Sequence, residues 1–394
     1  MKKILALVLA LCMVFALCAC GQSAAPAATE APAADAAAEA PATEETPAEE
    51  TAEVMVAMIT DYGDITDQSF NQTTYEACKE YCEANGLQFS YFKPASDSDE
   101  DRVAQIEAAI DEGYNVIVMP GYAFANAIKA TVNEYTDVTF IALDVGAADL
   151  GDDFTVPENL YCAVYQEELC GYMAGYAAVK LGYKSLGFLG GMAVPAVVRY
   201  GYGFVQGVDA AAAELGLTDV TVNYAYGNQF YGDADITAAM DTWYGAGTEV
   251  VFACGGGIYT SAAEAAAKVG GKVIGVDVDQ SGIIDGAYGE GMTVTSAMKG
   301  LAPTVKTELA AVVAGEFKGG VIDSLGLVSE NPEENFVQIP SASTQFEDGK
   351  FTAEDYTALV KSMLAGDVTV SNDVTKAASD FATVITLNDL GNLK

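Results

Sequence analysis

The sequence predicts an α/β protein built from two doubly wound parallel-sheet lobes. Between residues 54 and 320, short apolar segments alternate with segments of helical periodicity. This alternation is typical of parallel strands that are covered by helices on both faces. Right-handed crossovers turn such repeats into a doubly wound sheet. The repeats are too numerous for one sheet of ordinary size, so we expect two lobes.

Each predicted strand is an apolar run that ends in a polar or glycine-containing turn. The strands are predicted at 54–59, 87–92, 116–119, 138–143, 161–164, 185–189, 220–226, 250–253, 273–276 and 293–297. The helices are predicted at 71–85, 99–112, 123–135, 166–181, 200–215, 234–244, 261–269 and 303–314. Gly171 and Gly175 should allow another backbone to approach the helix at 166–181. Beyond residue 314 the sequence is less regular, with one short late helix that contains Met363.

Residues 1–53 have the composition of a targeting segment and a tether. Two lysines precede an apolar run at 4–17, which is too short to span a membrane and has the flanks of a secretory signal. The residues that end at Cys20 resemble the lipobox of bacterial lipoproteins. That resemblance implies removal of 1–19 and lipidation of Cys20, and an ordinary signal peptide cut nearby is the alternative. Residues 20–53 are rich in Ala, Pro, Thr and Glu, so we expect a disordered acidic tether.

The composition excludes several classes of function. The chain has 18 basic and 56 acidic residues and a formal net charge of −38, so we expect no nucleic acid partner. Histidine is absent, which removes imidazole catalysis and His-ligated zinc. Cys78 and Cys82 are four residues apart and are expected to be buried thiols rather than a metal pair. We expect no cofactor, no metal and no catalytic residue.

The ends of the predicted strands supply candidate binding residues, because ligands of open α/β sheets bind beyond the carboxyl ends of the strands. Three of the six ends considered carry an aspartate, at Asp61, Asp144 and Asp277, and the others are rich in glycine. A phosphate site would need donors and cations instead, and neither common glycine-rich phosphate motif is complete. An uncharged ligand with hydroxyl or amine donors, such as a ribose, is therefore favoured.

Five groups of residues occur in a characteristic order. They are 61–72 (DYGDITDQSFNQ), 171–175 (GYMAG), 187–192 with 203–207 (GFLGGM and GFVQG), 275–280 (GVDVDQ) and 295–299 (TSAMK). Together they resemble the basic membrane protein family, which comprises lipoproteins related to the purine nucleoside receptor A of ABC transporters. The resemblance covers roughly residues 54–320. It implies a type I periplasmic-binding-protein fold, in which a hinge with three crossings joins two lobes around a ligand cleft.

The resemblance also implies which residues contact a nucleobase. Phe70 would stack on a purine, and a base–aromatic stack of this kind is worth about 1–3 kcal/mol. Asp61 would bind a polar edge of the base, and Asn71 would support the loop or the ligand. Phe230 is expected on the opposite face of the base. The alternatives for this second ring are Tyr226 and Phe252.

A second group of residues is implied to contact the sugar. Asp144 and Asp277 would accept hydrogen bonds from ribose hydroxyls. Lys299 would orient or neutralise one of these carboxylates. Gly256 would let the backbone approach the sugar, because glycine has no side chain.

The implied function is the capture of a nucleoside, with a purine favoured, and its delivery to an ABC permease. The carrier would be a lipid-anchored monomer on the outer face of the cell membrane. A ligand-sensing lipoprotein of the same fold is one alternative. A nucleoside hydrolase that uses calcium is another, but its carboxylates would be expected in one run rather than on separate strand ends. The expected organisation is a signal at 1–19, a lipidated tether at 20–53, lobe 1 at 54–164 plus about 279–320, lobe 2 at 165–278, and a segment at 321–394 that packs on the lobes.

Overall fold

The structure is a computed structural model that describes residues 53–61 and 63–394. The expected signal at 1–19, Cys20 and nearly all of the tether lie outside these residues, and so does Tyr62. Within the described part of the chain, no helix has both the length and the apolar character needed to cross a membrane.

The described residues form thirteen strands, most of them short. In chain order these are β1 (Met55–Ile59), β2 (Gln88–Phe92), β3 (Val116–Pro120), β4 (Thr139–Leu143), β5 (Leu160–Tyr165), β6 (Ser185–Gly190), β7 (Thr221–Tyr226), β8 (Val250–Cys254), β9 (Lys272–Asp277), β10 (Thr293–Lys299), β11 (Val321–Leu325), β12 (Val337–Gln338) and β13 (Thr386–Asn392). All ten predicted strands are present, with small shifts at their ends.

Two sheets hold these strands. The first has the order β11-β5-β4-β3-β1-β2, and the second has the order β12-β10-β9-β8-β6-β7-β13. All pairings are parallel except that of β12 with β10. Strands β1–β5 in the first sheet and β6–β10 in the second are arranged in the same spatial order, β5-β4-β3-β1-β2 and β10-β9-β8-β6-β7. Strand β4 of one sheet therefore corresponds to β9 of the other. We call the parts of the chain that are built on these sheets lobe 1 and lobe 2.

Eleven α-helices cover the sheets in the described residues. They are α1 (Phe70–Asn85), α2 (Asp99–Asp111), α3 (Ala125–Thr131), α4 (Ala147–Leu150), α5 (Glu167–Lys180), α6 (Pro195–Leu215), α7 (Ala234–Gly245), α8 (Tyr259–Val269), α9 (Ser281–Tyr288), α10 (Leu301–Ala314) and α11 (Ala353–Leu364). The alternation of buried parallel strands and helices confirms the predicted α/β fold of two doubly wound sheets.

Helices α5 and α6 pack with their backbones in direct contact. A Cβ atom on any of four glycines would overlap a backbone carbonyl of the opposite helix. The contacts are Gly171 with Tyr200, Gly175 with Phe204, Gly203 with Glu168, and Gly207 with Tyr172. The prediction for Gly171 and Gly175 is thus confirmed, and a second pair of glycines on α6 completes the contact.

The chain returns to lobe 1 later than the sequence analysis places it. The sequence analysis assigns residues from about 279 to 320 to lobe 1. In the structure, however, β10 pairs in parallel with β9 and belongs to lobe 2. Helix α10 does pack against α1 of lobe 1. The assignment is wrong for β10 because its apolar run is compatible with either sheet, and only pairing with a neighbour decides between them.

The C-terminal residues contain more regular structure than their sequence suggests. Strand β11 pairs with β5 at one edge of the first sheet, and β13 pairs with β7 at one edge of the second. Both edge strands are largely exposed. They lack a continuous apolar run for that reason, and a search for apolar periodicity therefore misses them.

Candidate ligand-binding site

A cavity of about 600 Å³ lies where the carboxyl ends of the two sheets meet. Its volume is within the usual range for small-molecule sites. All eight residues that the sequence analysis proposes as ligand contacts line it. They are Asp61, Phe70, Asn71, Asp144, Phe230, Gly256, Asp277 and Lys299.

Two aspartates occupy equivalent positions in the lobes. Asp144 follows β4 with a φ of 58°, and Asp277 ends β9 with a φ of 64°. A positive φ is uncommon for residues other than glycine, although aspartate tolerates it better than most. Such backbone conformations occur often at functional sites, where surrounding contacts maintain them. Here the conformation turns both carboxylates toward the same lysine.

Lys299, at the end of β10, is the centre of the polar cluster. Its side chain is only 3% exposed, and its ammonium forms an ion pair with Asp144. The same ammonium lies 3.5 Å from Glu167 Oε1 and 3.7 Å from Asp277 Oδ1. Burial alone would lower the pKa of Lys299, but the nearby carboxylates outweigh it and raise the pKa. The buried lysine therefore stays charged and fixes both aspartates.

Three aromatic rings surround the same ammonium group. Lys299 Nζ lies 4.8 Å from the ring centroid of Phe70, 5.5 Å from that of Tyr165 and 5.7 Å from that of Tyr200. These distances are within the range of cation–π attraction. The position of the Phe70 ring at the cavity wall is thus tied to the charged cluster behind it.

Glu167 and Arg199 belong to this cluster, and the sequence analysis does not identify them. Glu167 is fully buried at the start of α5 and accepts a hydrogen bond from Arg199 Nε at 2.6 Å. Arg199 lines the cavity. Burial raises the pKa of Glu167, and its two cationic neighbours oppose that shift. The sequence does contain one indication for Arg199, namely that arginine occurs only twice in this acidic chain and is therefore a conspicuous residue type.

Two residues that line the cavity each have a buried side-chain oxygen with no hydrogen-bond donor among the described residues. These oxygens are Asp144 Oδ1 and Asn71 Oδ1. The Asn71 amide nitrogen, by contrast, donates to Asp67 Oδ2 at 3.2 Å. A buried acceptor without a partner costs about 1–3 kcal/mol. These two atoms are therefore where a ligand that carries hydrogen-bond donors would be stabilised.

The carboxylate of Asp277 is more fully occupied than that of Asp144. Asp277 Oδ2 accepts from Ser69 Oγ at 2.6 Å, and Oδ1 accepts from the Tyr200 hydroxyl at 3.3 Å. Burial raises the pKa of Asp277, whereas Lys299 and the Ser69 hydroxyl oppose that shift. Asp277 lines the cavity but is already held by protein groups.

Phe230 is the second aromatic ring at the cavity wall. A Cβ atom on Gly191 or Gly255 would overlap its ring. The glycine-rich turns after β6 and β8 therefore leave the space that the ring occupies. Of the two alternatives, Phe252 is fully buried in the core, and the hydroxyl of Tyr226 pairs with that of Tyr224. Phe230 is the candidate among the three that lines the cavity.

Glycines also shape two parts of the cavity wall, one around Asp61 and one at Gly256. Gly121 has a φ of 120° and leaves space for the Asp61 carboxylate, which accepts from the backbone N–H of Gly63. Gly256 has a φ of 50°, a conformation that favours glycine. Its backbone is therefore exposed to the cavity without a side chain in between.

The acidic and thiol side chains of the described residues form neither a metal site nor a disulfide. Among them, no group of three or more His, Cys, Asp or Glu side chains is arranged to hold a metal ion. The five cysteines after the tether are all buried and unpaired, which confirms the buried thiols predicted at Cys78 and Cys82.

These features define a class of protein. Two doubly wound lobes with matching strand order enclose a cavity at their strand ends, and both lobes supply polar and aromatic side chains to it. This is the type I periplasmic-binding-protein fold, whose members bind small molecules between the lobes.

The chain belongs to the Bmp family, since residues 54–354 match the family described as ABC transporter substrate-binding protein PnrA-like. It is 28% identical over 241 residues to the ABC transporter nucleoside-binding protein BmpA of Lactococcus lactis subsp. cremoris, with 58% of this chain and 65% of that protein covered. Basic membrane protein B of Borreliella burgdorferi is also 28% identical, with 58% of this chain and 66% of that protein covered. The matched regions thus span just under two thirds of these relatives.

Solved structures support the fold independently. The crystal structure of an ABC transporter solute-binding protein from Aeropyrum pernix K1 superposes with a TM-score of 0.63. The superposition covers 84% of this chain and 90% of that one, at 21% sequence identity. At this identity the likeness concerns the fold alone.

Proposed function

We propose that this protein is the lipid-anchored substrate-binding component of an ABC importer. It binds a purine nucleoside in the cavity between its lobes and delivers it to the permease. The observation that carries the proposal is a pair of buried, unpartnered acceptors, Asp144 Oδ1 and Asn71 Oδ1, on residues that line the cavity together with two phenyl rings.

The acceptors favour a ligand that is rich in hydrogen-bond donors. A ribose offers adjacent hydroxyl groups, and a carboxylate oxygen accepts from a hydroxyl with a strong, charge-assisted bond. Lys299 donates to Asp144 Oδ2, so Asp144 Oδ1 is the oxygen that can accept a hydrogen bond from a ligand. Asp144 is therefore proposed as the main sugar contact, with Asp277 and the Gly256 backbone beside it.

The two rings favour a flat ligand. Phe70 comes from lobe 1 and Phe230 from lobe 2, and both line the same cavity. A base between them would be stacked by one ring from each lobe, so full stacking would require the lobes to close. Asp61, which also lines the cavity, is proposed to bind an amine or N–H group on the edge of the base.

The charge of the cavity favours a neutral ligand over a nucleotide. Six aspartates line the cavity, whereas the lining cations are Lys93, Arg199 and Lys299. Lys299 and Arg199 are already paired with carboxylates, and Lys93 pairs with Asp64. A phosphate would meet more carboxylate than free cation and should be rejected.

Anchoring and delivery form the second part of the proposal. The apolar run before Cys20 and the acidic tether at 20–53 suit a protein held at the outer face of the membrane. The family description, substrate-binding protein of an ABC transporter, supports transfer of the ligand to a permease. We propose binding without chemical conversion of the ligand.

Calorimetric titration of the purified protein with guanosine, adenosine, uridine, ribose and guanosine monophosphate tests the proposal. The purine nucleosides should bind most tightly, and the monophosphate at least tenfold more weakly. Phe70→Ala should weaken guanosine binding at least tenfold because one stacking face is lost. Tyr91→Ala removes a half-exposed ring outside the cavity of the same lobe and should leave the affinity unchanged. Binding of none of these ligands, or equal binding of guanosine by parent and Phe70→Ala, would refute the proposal.

A further inference from the structure

Ser69 makes a contact that its position would not predict. It directly precedes helix α1, where a serine hydroxyl usually accepts a hydrogen bond from the first helical turn. Its side chain makes no such bond. Asp67 caps the helix instead, because its carboxylate accepts from the backbone N–H groups of Ser69, Asn71 and Gln72. The Ser69 hydroxyl is thus available to another partner.

That partner is in lobe 2. Ser69 Oγ donates to Asp277 Oδ2 at 2.6 Å. Beside it, Gln280 Nε2 donates to the backbone carbonyl of Gln68 at 3.0 Å. Gln280 is itself held to the end of β9, since its Oε1 accepts from Val276 N at 2.9 Å. Two hydrogen bonds between protein groups therefore join the lobe 1 loop to the end of a lobe 2 strand.

The Ser69–Asp277 bond is buried and the Gln280–Gln68 bond is partly buried. Ser69 and Gln280 are almost completely inaccessible, whereas the cavity wall includes Asp277 but neither of them. A hydroxyl that donates to a buried carboxylate forms one of the stronger hydrogen bonds in proteins. The contact thus links the lobes strongly without occupying the volume in which a ligand would lie.

We propose that Ser69, the Gln68 carbonyl, Asp277 and Gln280 form an interlobe latch that sets how fast the ligand leaves. The latch rests on the proposed function in one respect, namely that a ligand held between the lobes leaves when they part. Each bond that must break on opening lowers the population of the open state. Ser69 is thus a positioning residue, which acts through Asp277 and the lobe arrangement without touching the ligand.

A purely structural role for Ser69 in helix α1 is disfavoured, because Asp67 already caps that helix. Ser98 provides a matched control. It precedes helix α2 in the same lobe, and its hydroxyl accepts from Asp101 N at 3.1 Å as a true cap. Loss of the Ser98 hydroxyl should therefore cost stability, whereas loss of the Ser69 hydroxyl should open the cleft.

The test compares Ser69→Ala and Ser98→Ala with the parent in the full chain. Stopped-flow release of guanosine should be about three- to tenfold faster in Ser69→Ala, with little change in the association rate. In ligand-free samples, Ser69→Ala should show faster amide exchange in segments 67–72 and 276–280 and a larger radius of gyration by X-ray scattering. Ser98→Ala should unfold at a lower temperature and release guanosine at the parent rate.

Two results would overturn the latch. One is parent-like release, exchange and scattering in Ser69→Ala, and the other is equally fast release in Ser98→Ala. If the parent does not bind guanosine, the proposed function fails at that step. The latch is then tested by amide exchange and X-ray scattering of the ligand-free proteins. Faster exchange and a larger radius of gyration in Ser69→Ala support the latch, and values equal to those of the parent overturn it.

Discussion

Lobe 1 and lobe 2 carry the same residue type in the same left-handed conformation at the carboxyl ends of their corresponding strands, with Asp144 directly after β4 and Asp277 at the end of β9, yet the two carboxylates have different partners. Asp144 of lobe 1 pairs with Lys299 through one oxygen and leaves the other without a donor among the described residues. Asp277 of lobe 2 accepts from Ser69 and Tyr200 and also faces Lys299.

The difference shows that equivalent positions in two similar lobes need not have equivalent tasks. The strand order places both aspartates at the cleft, but the side chains that surround each aspartate, from either lobe, decide which oxygens remain open. We infer that Asp144 serves mainly the ligand and Asp277 mainly the closure of the lobes. The three predictions below test that division and the wider contrast between occupied and open carboxylates, beginning with the largest expected effect.

Lys299→Met removes the cation that both aspartates share. It leaves Asp144, Asp277 and Glu167 close together without their central positive charge, and breaking a buried ion pair in this way costs about 3–5 kcal/mol. We expect the free energy of unfolding in urea to fall by about that amount and guanosine binding to be lost in calorimetry.

Lys93→Met is the matched control for this prediction. Lys93 also lines the cavity, but it is nearly half exposed, and its Nζ pairs with Asp64 at 3.2 Å. Exposed pairs contribute about 0–1 kcal/mol, so the stability should change little. If Lys299→Met matched the control in both measurements, the charged cluster would not organise the two aspartates.

Asp144→Asn and Asp277→Asn test the division of tasks directly, because each keeps the shape of the side chain and removes its charge. Asp144→Asn should weaken guanosine binding at least tenfold in calorimetry, since a hydrogen bond to a charged acceptor is worth about 1.5–3 kcal/mol. Asp277→Asn should weaken it only about threefold, with most of the change in the dissociation rate. The opposite order of the two effects would make Asp277 the principal sugar contact.

The contrast between an occupied and an open carboxylate recurs at the start of α5, where a smaller effect is expected. Glu167 binds Arg199, whereas Glu168 Oε2 is buried without a donor among the described residues. Burial raises the pKa of Glu168 to about 7. The folded protein therefore binds a proton that the unfolded chain has released, and the free energy of unfolding falls as the pH rises from about 4.5 to about 7.

Glu168→Gln should remove this contribution to the pH dependence. At pH 8 the variant should be about 1–3 kcal/mol more stable than the parent in urea unfolding, and at pH 5 the difference should nearly vanish. Glu354→Gln, at an exposed position on α11, serves as the control and should behave like the parent at both pH values. A Glu168→Gln variant that is less stable than the parent at pH 8 would indicate that the ionised carboxylate has a favourable partner.

Much of the fold could be predicted because buried parallel strands leave a strong local pattern. The continuous apolar runs of β3 and β8 are examples, since every residue in them is buried. Strand β13 left no such pattern because an exposed edge strand needs no apolar run. The lobe to which β10 belongs depends on pairing with β9, and pairing between distant segments is not encoded in the local sequence.

The same distinction applies to the site. The position of Asp144 and Asp277 at strand ends follows from a general rule of α/β sheets, and the resemblance to known motifs added Phe70 and Lys299. Glu167 and Arg199 were missed because they are 32 positions apart and meet only through the packing of two helices. The bond between Ser69 and Asp277, across 208 positions, is equally invisible in the sequence.

The glycine contact between α5 and α6 has a consequence for engineering. It fixes the axial offset of two helices that carry Glu167 in the first turn of α5 and Arg199 in the second turn of α6, and one residue of slippage along a helix is about 1.5 Å. Attempts to alter the cavity by library selection should therefore leave Gly171, Gly175, Gly203 and Gly207 unvaried. They set the distance between the helices, and a single added methyl group there would displace Glu167 and Arg199 from outside the cavity.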